Sequence, residues 1–185
     1  MKKTLIAIFG RSASGKDTLC DKLCSLIPTA NKIKLDTTRP QRPGEPNDAY
    51  NFISLEGMMS RLEKNNPSHY IVAEYRRWFY GVNLLEEIEK HDVCIGVFSP
   101  KMLNKILTLS VLEKDKFNVI PIYLDISFDE AFMRSVVRED KFKFEMLRRA
   151  IADTRDFRGF ERKLIDAFGF CIHSNDIAYP VSLLT

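Results

Sequence analysis

The fold of this 185-residue chain is decided by one nine-residue stretch, Gly10-Arg-Ser-Ala-Ser-Gly15-Lys16-Asp17-Thr18. It follows a continuous apolar run from Leu5 to Phe9, which is typical of a buried parallel strand, and it precedes leucines at helical spacing. The two glycines let successive backbone N–H groups point into one concavity, Lys16 adds a positive charge, and the next helix directs its N-terminus at the same anion. We therefore predict a phosphate-binding loop, called the P-loop below (residues 10–18).

The remainder of the chain alternates between predicted strands and helices. Strands are predicted at 32–35, 93–98, 119–124 and 170–172, and extended pieces at 69–73 and 75–80. Helices are predicted at 55–64, 84–91, 99–110, 127–138 and 143–168. Ser54 and Asn83 are predicted N-caps, and Ser127 with Glu130 a capping box. This alternation predicts an α/β fold with a parallel sheet covered by helices on both faces.

Composition narrows the class of protein. Apolar residues make up 45% and charged residues 29%, which is typical of a soluble globular domain, and the length suits one domain. The net charge of +3 is too small for a nucleic-acid binder, and no apolar stretch reaches the length of a membrane span. We expect a cytoplasmic monomer or homodimer that binds small molecules, with no nucleic acid and no membrane as partner.

The four cysteines follow no zinc or disulfide spacing. Cys20 and Cys24 would lie one helical turn apart, which could suit a metal, whereas Cys94 and Cys171 stand alone. The other interpretation is that all four are small apolar core residues in a reducing compartment.

Asp17 occupies the position after the P-loop lysine, where Ser or Thr usually holds magnesium. A carboxylate is a good magnesium ligand, so one hypothesis is that Asp17 contributes a metal ligand, directly or through water. The alternative is that it only caps the helix or forms a local salt bridge.

Two sets of arginines accompany the P-loop. Arg39 and Arg42 lie three residues apart in a proline-rich irregular stretch, which suits bidentate contact with a fixed phosphate, and Tyr50 and Tyr80 could donate hydroxyls to it. The alternative is a surface loop with scattered arginines.

The second set is Arg134 and Arg138, one helical turn apart, with Arg149 on the next helix. Phosphoryl transfer develops charge on oxygens that converging arginines would stabilise. Considered singly, each of these arginines would be a solvated helix charge.

These motifs together resemble the guanylate kinase family over nearly the whole chain. The P-loop, the run from Thr37 to Glu45, the segment from Tyr50 to Ser54, the Phe79-Tyr80-Gly81 element and Asn175-Asp176 are similar to that family's motifs in the same order. The resemblance implies that Gly10, Ser12, Ala13, Ser14, Gly15, Lys16, Asp17, Thr18 and Asn175 bind ATP. It implies that Arg39, Arg42, Glu45, Tyr50 and Tyr80 bind the acceptor, and that Lys16, Arg39, Arg134, Arg138 and Arg149 are catalytic.

The resemblance also implies an architecture, a reaction and cofactors. The expected fold is a P-loop NTPase fold with a five-stranded parallel core (residues 1–35, 91–137 and 149–185). An inserted region at 36–90 would bind the nucleoside monophosphate, and a short lid would span 138–148. The implied reaction is phosphoryl transfer from ATP, with Mg²⁺, to GMP or dGMP, and closure would exclude water.

Departures from the family pattern concentrate around the acceptor base. Ile71 aligns with the family's guanine-binding glutamate, Val82 replaces a small hydroxyl residue, and Leu35 replaces a serine. The acidic pair after the third core strand becomes Val97 and Ser99. Glu74 offers a substitute carboxylate if it lies on the correct face of its strand. A site without its polar partners should discriminate guanine poorly.

Two other functions stay open at this point. Asp17, Gly81-Val82 and the acid-free core strand are similar to ribose bisphosphate phosphokinases, and phage-type deoxynucleoside monophosphate kinases share the Gly-Lys-Asp-Thr loop. Guanylate-kinase-like domains also occur as non-catalytic binding modules. Those modules typically lose the P-loop lysine or the arginines that act from the lid side, whereas this chain retains Lys16, Arg134, Arg138 and Arg149.

Overall fold

The computed structural model describes residues 2–139 and 144–184. The strands are β1 (Lys3–Gly10), β2 (Ala30–Lys32), β3 (Asp36–Thr37), β4 (Asn51–Phe52), β5 (Tyr70–Tyr75), β6 (Trp78–Asn83), β7 (Val93–Val97), β8 (Phe117–Leu124) and β9 (Ile172–Ser174). The helices are α1 (Lys16–Leu26), α2 (Leu55–Lys64), α3 (Leu84–Lys90), α4 (Leu103–Leu112), α5 (Phe128–Glu139), α6 (Phe144–Asp156), α7 (Phe160–Phe168) and α8 (Ala178–Leu184). A 3₁₀ turn, Pro100–Met102, leads into α4.

β1 lies at the centre of a five-stranded parallel sheet with the strand order β2-β7-β1-β8-β9. Leu5, Ala7 and Phe9 pack against residues of α3, α4 and α7. Ile6 and Ile8 point to the opposite face and pack against α1. Both faces of the strand are therefore buried, which explains why its sequence is continuously apolar rather than alternating. The predicted five-stranded parallel core is confirmed.

The inserted region forms a second sheet with the order β4-β3-β6-β5. β5 and β6 are antiparallel, and Tyr75 lies opposite Trp78, so a two-residue turn joins them. That turn is Arg76-Arg77, with φ angles of 55° and 66°. Left-handed torsions at both positions define a type I′ hairpin turn, in which Asn-Gly is the favoured pair. Two arginines in these positions are therefore unusual.

A buried polar network holds the inserted region together. Asp36 is 3% exposed and accepts hydrogen bonds from the Tyr70 hydroxyl at 2.6 Å and the Asn51 amide at 2.9 Å. Arg61 of α2 forms an ion pair with the same carboxylate. Because a buried carboxylate needs such partners, this network ties β3 to β4, β5 and α2.

Several predicted element boundaries are corrected. The strand predicted at 32–35 is β2 at Ala30–Lys32, and the one predicted at 170–172 is β9 at Ile172–Ser174. The single helix predicted at 143–168 is two helices, α6 and α7. Gly159 has a φ of 62°, a left-handed torsion that an α-helix cannot contain, so the chain breaks there.

The predicted helix starts at Ser54 and Asn83 are confirmed. The Ser54 side chain accepts a hydrogen bond from the Gly57 amide, and the Asn83 side chain accepts one from the Glu86 amide. The Ser127 hydroxyl likewise accepts from the Glu130 amide at the start of α5. These local side-chain caps satisfy the first N–H groups of each helix.

The cysteines are free thiols, and Cys20 and Cys94 are buried. Burial raises the pKa of the Cys94 thiol to about 11, which keeps it protonated at neutral pH. Within residues 2–139 and 144–184, no cluster of three or more His, Cys, Asp or Glu side chains is arranged to hold a metal. No helix in the same ranges is long and apolar enough to span a bilayer.

Candidate functional site

A cleft opens at the carboxyl edge of the central sheet, between the P-loop and the inserted region. In a parallel sheet this edge is where ligands bind. The predicted site residues that line the cleft are Gly10, Ser12, Ala13, Lys16, Asp17, Arg39, Arg42, Tyr50 and Tyr80. The structure therefore brings the two halves of the predicted site into one concavity.

The P-loop owes its shape to its glycines. A Cβ on Gly10 would lie 2.6 Å from the Leu124 carbonyl oxygen and 2.7 Å from the Ser14 hydroxyl, so no larger residue fits there. Ala13 and Gly15 have φ angles of 61° and 93°, and these left-handed torsions turn the backbone around the concavity. Gly15 directly precedes α1 and brings no side chain to cap it.

Lys16 and the start of α1 supply the positive potential of the P-loop. The Lys16 ammonium donates to the Arg11 carbonyl at 2.5 Å and to the Ser14 hydroxyl at 3.4 Å, so it is held over the loop. No side-chain hydrogen bond caps the N-terminus of α1 in the described part of the chain. Its first N–H groups and the helix dipole can therefore serve an anion such as a nucleotide phosphate.

Magnesium is the cation that the P-loop implies, and two oxygen donors of the cleft fit it. Asp17 lies exposed on the first turn of α1, and Ser99 follows β7 on the other side of the cleft. Among the described residues, the buried Ser99 hydroxyl has no hydrogen-bond partner. One carboxylate and one hydroxyl, directly or through water, are a sufficient protein contribution when phosphates supply the other ligands. The role of Asp17 as a metal ligand stays a prediction.

Arg39 is 7% exposed, and its guanidinium has several partners in the cleft. Its Nη1 donates to Glu45 at 3.0 Å and to the Pro40 carbonyl at 2.9 Å, and its Nη2 donates to Glu45 at 2.7 Å. The guanidinium also lies 5.2 Å from the ring centre of Tyr50. A fork–fork ion pair combined with an aromatic face fixes both the position and the plane of the group.

Glu45 organises the irregular stretch rather than standing free for a ligand. Its carboxylate accepts from the Arg39 side chain and from the backbone N–H of Arg42 at 2.9 Å. Burial alone would raise the pKa of the Glu45 carboxyl, but these hydrogen bonds outweigh burial and lower it. Glu45 is thus held as a carboxylate beside Arg39, and its predicted contact with the acceptor stays a prediction.

Tyr50 and Tyr80 form the aromatic side of the cleft, with ring centroids 6.0 Å apart. Burial raises the pKa of the Tyr50 hydroxyl, and the negative charge of Asp17 raises it further. Tyr50 therefore stays protonated as a hydrogen-bond donor. Asp17 and Tyr50 both line the cleft, so the P-loop and the inserted region face each other across it.

Comparison with known proteins agrees with this geometry. A model of the family described as guanylate kinase matches residues 1–182. The chain belongs to the guanylate kinase family. As a member of that family it is a nucleoside monophosphate kinase. No curated protein sequence matches it significantly.

One similar solved structure is the crystal structure of guanylate kinase from Anaplasma phagocytophilum. The two chains are 20% identical with a TM-score of 0.63, over 99% of this chain and 82% of that one. At this identity the likeness concerns the fold, and it agrees with the parallel core sheet described above.

Three positions that are polar in the guanylate kinase pattern are buried and apolar here, and of these three only Leu35 lines the cleft. Ile71, Val82 and Leu35 are 2%, 4% and 5% exposed and pack in one cluster with Tyr50 and Tyr80. No carboxylate stands at the Ile71 position to accept hydrogen bonds from a guanine edge.

Glu74, the predicted substitute carboxylate, lies outside the cleft lining. Side chains alternate along β5, so Glu74 shares a face with Tyr70 and Val72, whereas Ile71 and Tyr75 point to the opposite face. Tyr75 lines the cleft, but Glu74 is exposed and lies outside the cleft lining. The predicted contact of Glu74 with the acceptor stays a prediction.

Among the residues that the structure describes, neither Arg134 nor Asn175, a predicted ATP contact, is part of the cleft lining. Arg134 is exposed on α5 and pairs with Glu130 at 2.5 Å, one turn earlier on the same helix. The side chains of Arg138 and Arg149 lie outside the described part of the chain. Asn175 is exposed after β9, and Thr18 is exposed on α1. The roles of all five residues stay predictions.

The structure adds cleft residues that sequence reasoning missed. Tyr75, Arg76 and Trp78, around the hairpin turn, line the cleft. Asp153 on α6 is 2% exposed and contacts both Tyr75 and Arg76. The one sequence signal was the pair Arg76-Arg77 between two extended pieces, because arginines are not typical turn residues. Asp153 is 77 residues from Arg76, and no spacing rule connects them.

Proposed function

We propose that this kinase transfers the terminal phosphate of ATP, bound with Mg²⁺ at the P-loop, to a nucleoside monophosphate held by the inserted region, with GMP or dGMP as the first acceptors to test. The observation that carries the proposal is that Lys16, at the start of α1, and Arg39, after β3 of the inserted region, line the same cleft. Two sources of positive charge facing one concavity suit two anions held phosphate to phosphate.

On the donor side, the P-loop amides, the N-terminus of α1 and Lys16 would bind the β- and γ-phosphates. Asp17, with Ser99 across the cleft, would hold the magnesium ion, which supplies charge neutralisation on the phosphate oxygens. Because the left-handed torsions of Ala13 and Gly15 already turn the loop backbone around the concavity, little reorganisation is needed when the nucleotide binds.

On the acceptor side, Arg39 and Arg42 would hold the acceptor phosphate. A guanidinium has five N–H donors, so Glu45 and Pro40 do not exhaust those of Arg39. A phosphomonoester has a second pKa near ~6 and is largely a dianion at neutral pH, so its oxygen can attack without a general base. The role of these residues is therefore to position the two phosphates and to neutralise their charge.

The departures from the family pattern support a second candidate within the same chemistry. Where the resemblance expects polar contacts to guanine, this chain has the buried apolar residues Ile71 and Val82, so guanine would gain little over another base. Another nucleoside monophosphate, or a phosphorylated sugar such as ribose bisphosphate, would then be the physiological acceptor. The phosphate-binding residues would keep the same roles.

A coupled assay of ADP release tests the proposal and separates the two candidates. Purified protein with Mg²⁺ and ATP is supplied with GMP, dGMP, AMP, UMP, dTMP or ribose bisphosphate, and an acceptor-free mixture is the control. We expect ADP release that depends on a nucleoside monophosphate, with kcat/KM for GMP and AMP differing by no more than about 10²-fold. A preference of about 10⁴-fold for guanine would contradict the argument that guanine lacks polar partners in this protein.

Ribose bisphosphate as the best acceptor would establish the second candidate. ADP release that no acceptor raises above the acceptor-free rate would refute both.

A further inference from the structure

Asp153 connects three parts of the molecule that meet at the cleft. Its Oδ2 accepts a hydrogen bond from the backbone N–H of Ser12 in the P-loop at 2.8 Å. Its Oδ1 accepts from the Tyr75 hydroxyl at 2.7 Å and from the guanidinium of Arg76. Burial and the charge of Asp153 both raise the pKa of the Tyr75 hydroxyl, which therefore remains a donor. One buried carboxylate thus joins α6, the P-loop and the hairpin turn of the inserted region.

Arg76 is held rigidly beside the P-loop by these contacts. Its guanidinium carbon lies 4.9 Å from the ring centre of Tyr75, and its Nη1 lies 3.3 Å from the Ser12 hydroxyl. The side chain is 16% exposed and lines the same cleft as Lys16. Arg76 is therefore a cation of the inserted region that touches the P-loop itself.

Turn formation does not account for an arginine at this position. Residues 76 and 77 both have left-handed backbone torsions, which are unfavourable for residues with a Cβ, and an Asn-Gly pair would form the same turn more easily. Strain of this kind persists where surrounding contacts compensate for it, and it is concentrated at functional sites. Arg77 shares the strained backbone but is exposed and lies outside the cleft lining.

The charges of Asp153 and Arg76 explain why the two residues occur together beside the P-loop. A carboxylate hydrogen-bonded to a P-loop amide would repel a polyphosphate bound in the same loop. Arg76 offsets that charge and presents its guanidinium at Ser12, on the side of the P-loop that faces the inserted region. The donor phosphate that faces the inserted region is the terminal one, because that phosphate must reach the acceptor.

We propose that Arg76 contacts the terminal phosphate of the donor nucleotide and that Asp153 is its positioning residue. Asp153 holds the guanidinium and the Ser12 amide in a fixed relation, so that binding of the terminal phosphate and placement of the hairpin turn depend on one another. The inference rests on the proposed function for the identity of the donor, but it concerns nucleotide binding and can be tested without an acceptor.

The first test compares two variants of the same turn by calorimetry with Mg²⁺. We expect Arg76→Gln to weaken ATP binding about 10- to 100-fold and ADP binding less than about threefold, because only ATP carries the contacted phosphate. Arg77→Gln has the same backbone strain without the contact, and we expect it to leave both affinities unchanged. Equal weakening of ATP and ADP by Arg76→Gln, or no weakening, would overturn the proposal.

The second test separates phosphate contact from a purely structural latch. Arg76→Gln leaves the Asp153 charge buried without its cation, so the single variant should be less stable. Adding Asp153→Asn removes that charge and keeps an oxygen for the Ser12 amide, so we expect the double variant to regain thermal stability. Its kcat should nevertheless remain at least about 10-fold below that of the parent. Recovery of both kcat and stability would show that Arg76 only holds the hairpin turn against α6, and it would overturn the phosphate contact.

The outcomes distinguish this inference from the proposed function. Suppose that the parent protein transfers phosphate to no acceptor, but Arg76→Gln still weakens ATP binding more than ADP binding. The proposed acceptor chemistry then fails and the Arg76 contact stands. If transfer occurs and Arg76→Gln weakens ATP and ADP binding equally, the Arg76 contact fails and the kinase reaction stands. A parent protein that binds neither nucleotide would overturn both.

Discussion

The P-loop and the inserted region present positive charge to the same cleft, but they are built in different ways. The P-loop relies on its backbone: within nine consecutive residues, Ala13 and Gly15 turn the chain, and Gly10 allows it to pass close to Leu124. The inserted region uses side chains fixed by partners, as in the Arg39–Glu45 ion pair. A backbone site recognises what all polyphosphates share, whereas a side-chain site can change with its ligand. We therefore expect substitutions in the P-loop to abolish chemistry and substitutions in the inserted region to tune the acceptor.

Replacing Lys16 should have the largest effect. Lys16→Gln removes the cation held over the P-loop, and we expect kcat to fall by about 10²- to 10³-fold, the usual loss for one electrostatic contact to a transition state. Thermal stability should change little, because the hydrogen bonds from Lys16 to Arg11 and Ser14 join residues of one loop. Lys22→Gln on the exposed face of α1 is the matched control and should keep full activity. Equal kcat values for the Lys16 and Lys22 variants would contradict the role of Lys16 in binding the donor phosphates.

Glycine substitutions compare the two regions through stability. Gly10→Ala places a Cβ 2.6 Å from the Leu124 carbonyl oxygen, and we expect unfolding free energy to fall by about 2–3 kcal/mol, as for overpacked sites. Gly44→Ala, in the irregular stretch, meets no atom within 4 Å and has only its φ of 75° against it, so about 1 kcal/mol should be lost. Urea unfolding measures both, and an equal or smaller loss at Gly10 would contradict a sterically fixed P-loop.

Glu45→Gln should have the smallest effect on activity. It weakens the fork that orients Arg39, and we expect KM for the acceptor to rise about 10-fold while the Kd for ATP stays within about twofold. Steady-state kinetics with varied acceptor and calorimetry with ATP measure the two quantities. A parallel rise in both would mean that Glu45 supports the whole fold rather than the acceptor site.

The same pair has a defined pH dependence. Hydrogen bonds from Arg39 and Arg42 lower the pKa of Glu45 despite its burial. A lowered folded-state pKa gives stability that is present above the ordinary carboxyl pKa of about 4.3 and is lost as pH falls through the folded-state value. The stability difference between the parent and Glu45→Gln should therefore be full at pH 7 and shrink below about pH 4.3. A stability difference that grows as the pH falls would contradict a lowered pKa of Glu45 in the folded protein.

The elements that local chemistry fixes were predictable from sequence. The strand–loop–helix context of the P-loop, the parallel core and the N-caps at Ser54 and Asn83 each follow from neighbouring residues, and the structure confirms them. Several boundaries were wrong for a physical reason. Phe157, Phe160 and Leu164 are all buried at helix-like spacing, so the apolar pattern continues across the Gly159 break and conceals it.

The inserted region was less predictable because its site depends on contacts between distant residues. Whether Glu74 faces the cleft depends on where β5 begins, and one residue of register reverses the face. The link from Arg76 to Asp153 depends on how α6 packs against the hairpin turn, which leaves no trace in local sequence. The P-loop is therefore predictable from neighbouring residues, whereas the site of the inserted region is not.

We infer above all that the P-loop and the inserted region each hold a phosphorylated ligand in one cleft, with the phosphates of the two ligands facing each other. The most direct measurement is calorimetric titration with a bisubstrate compound in which adenosine and guanosine are joined through five phosphates. Filling both sites with one molecule should give a Kd at least about 10²-fold lower than that of ATP or GMP alone, and Lys16→Gln should remove much of the gain. A compound that binds no more tightly than ATP would contradict the claim.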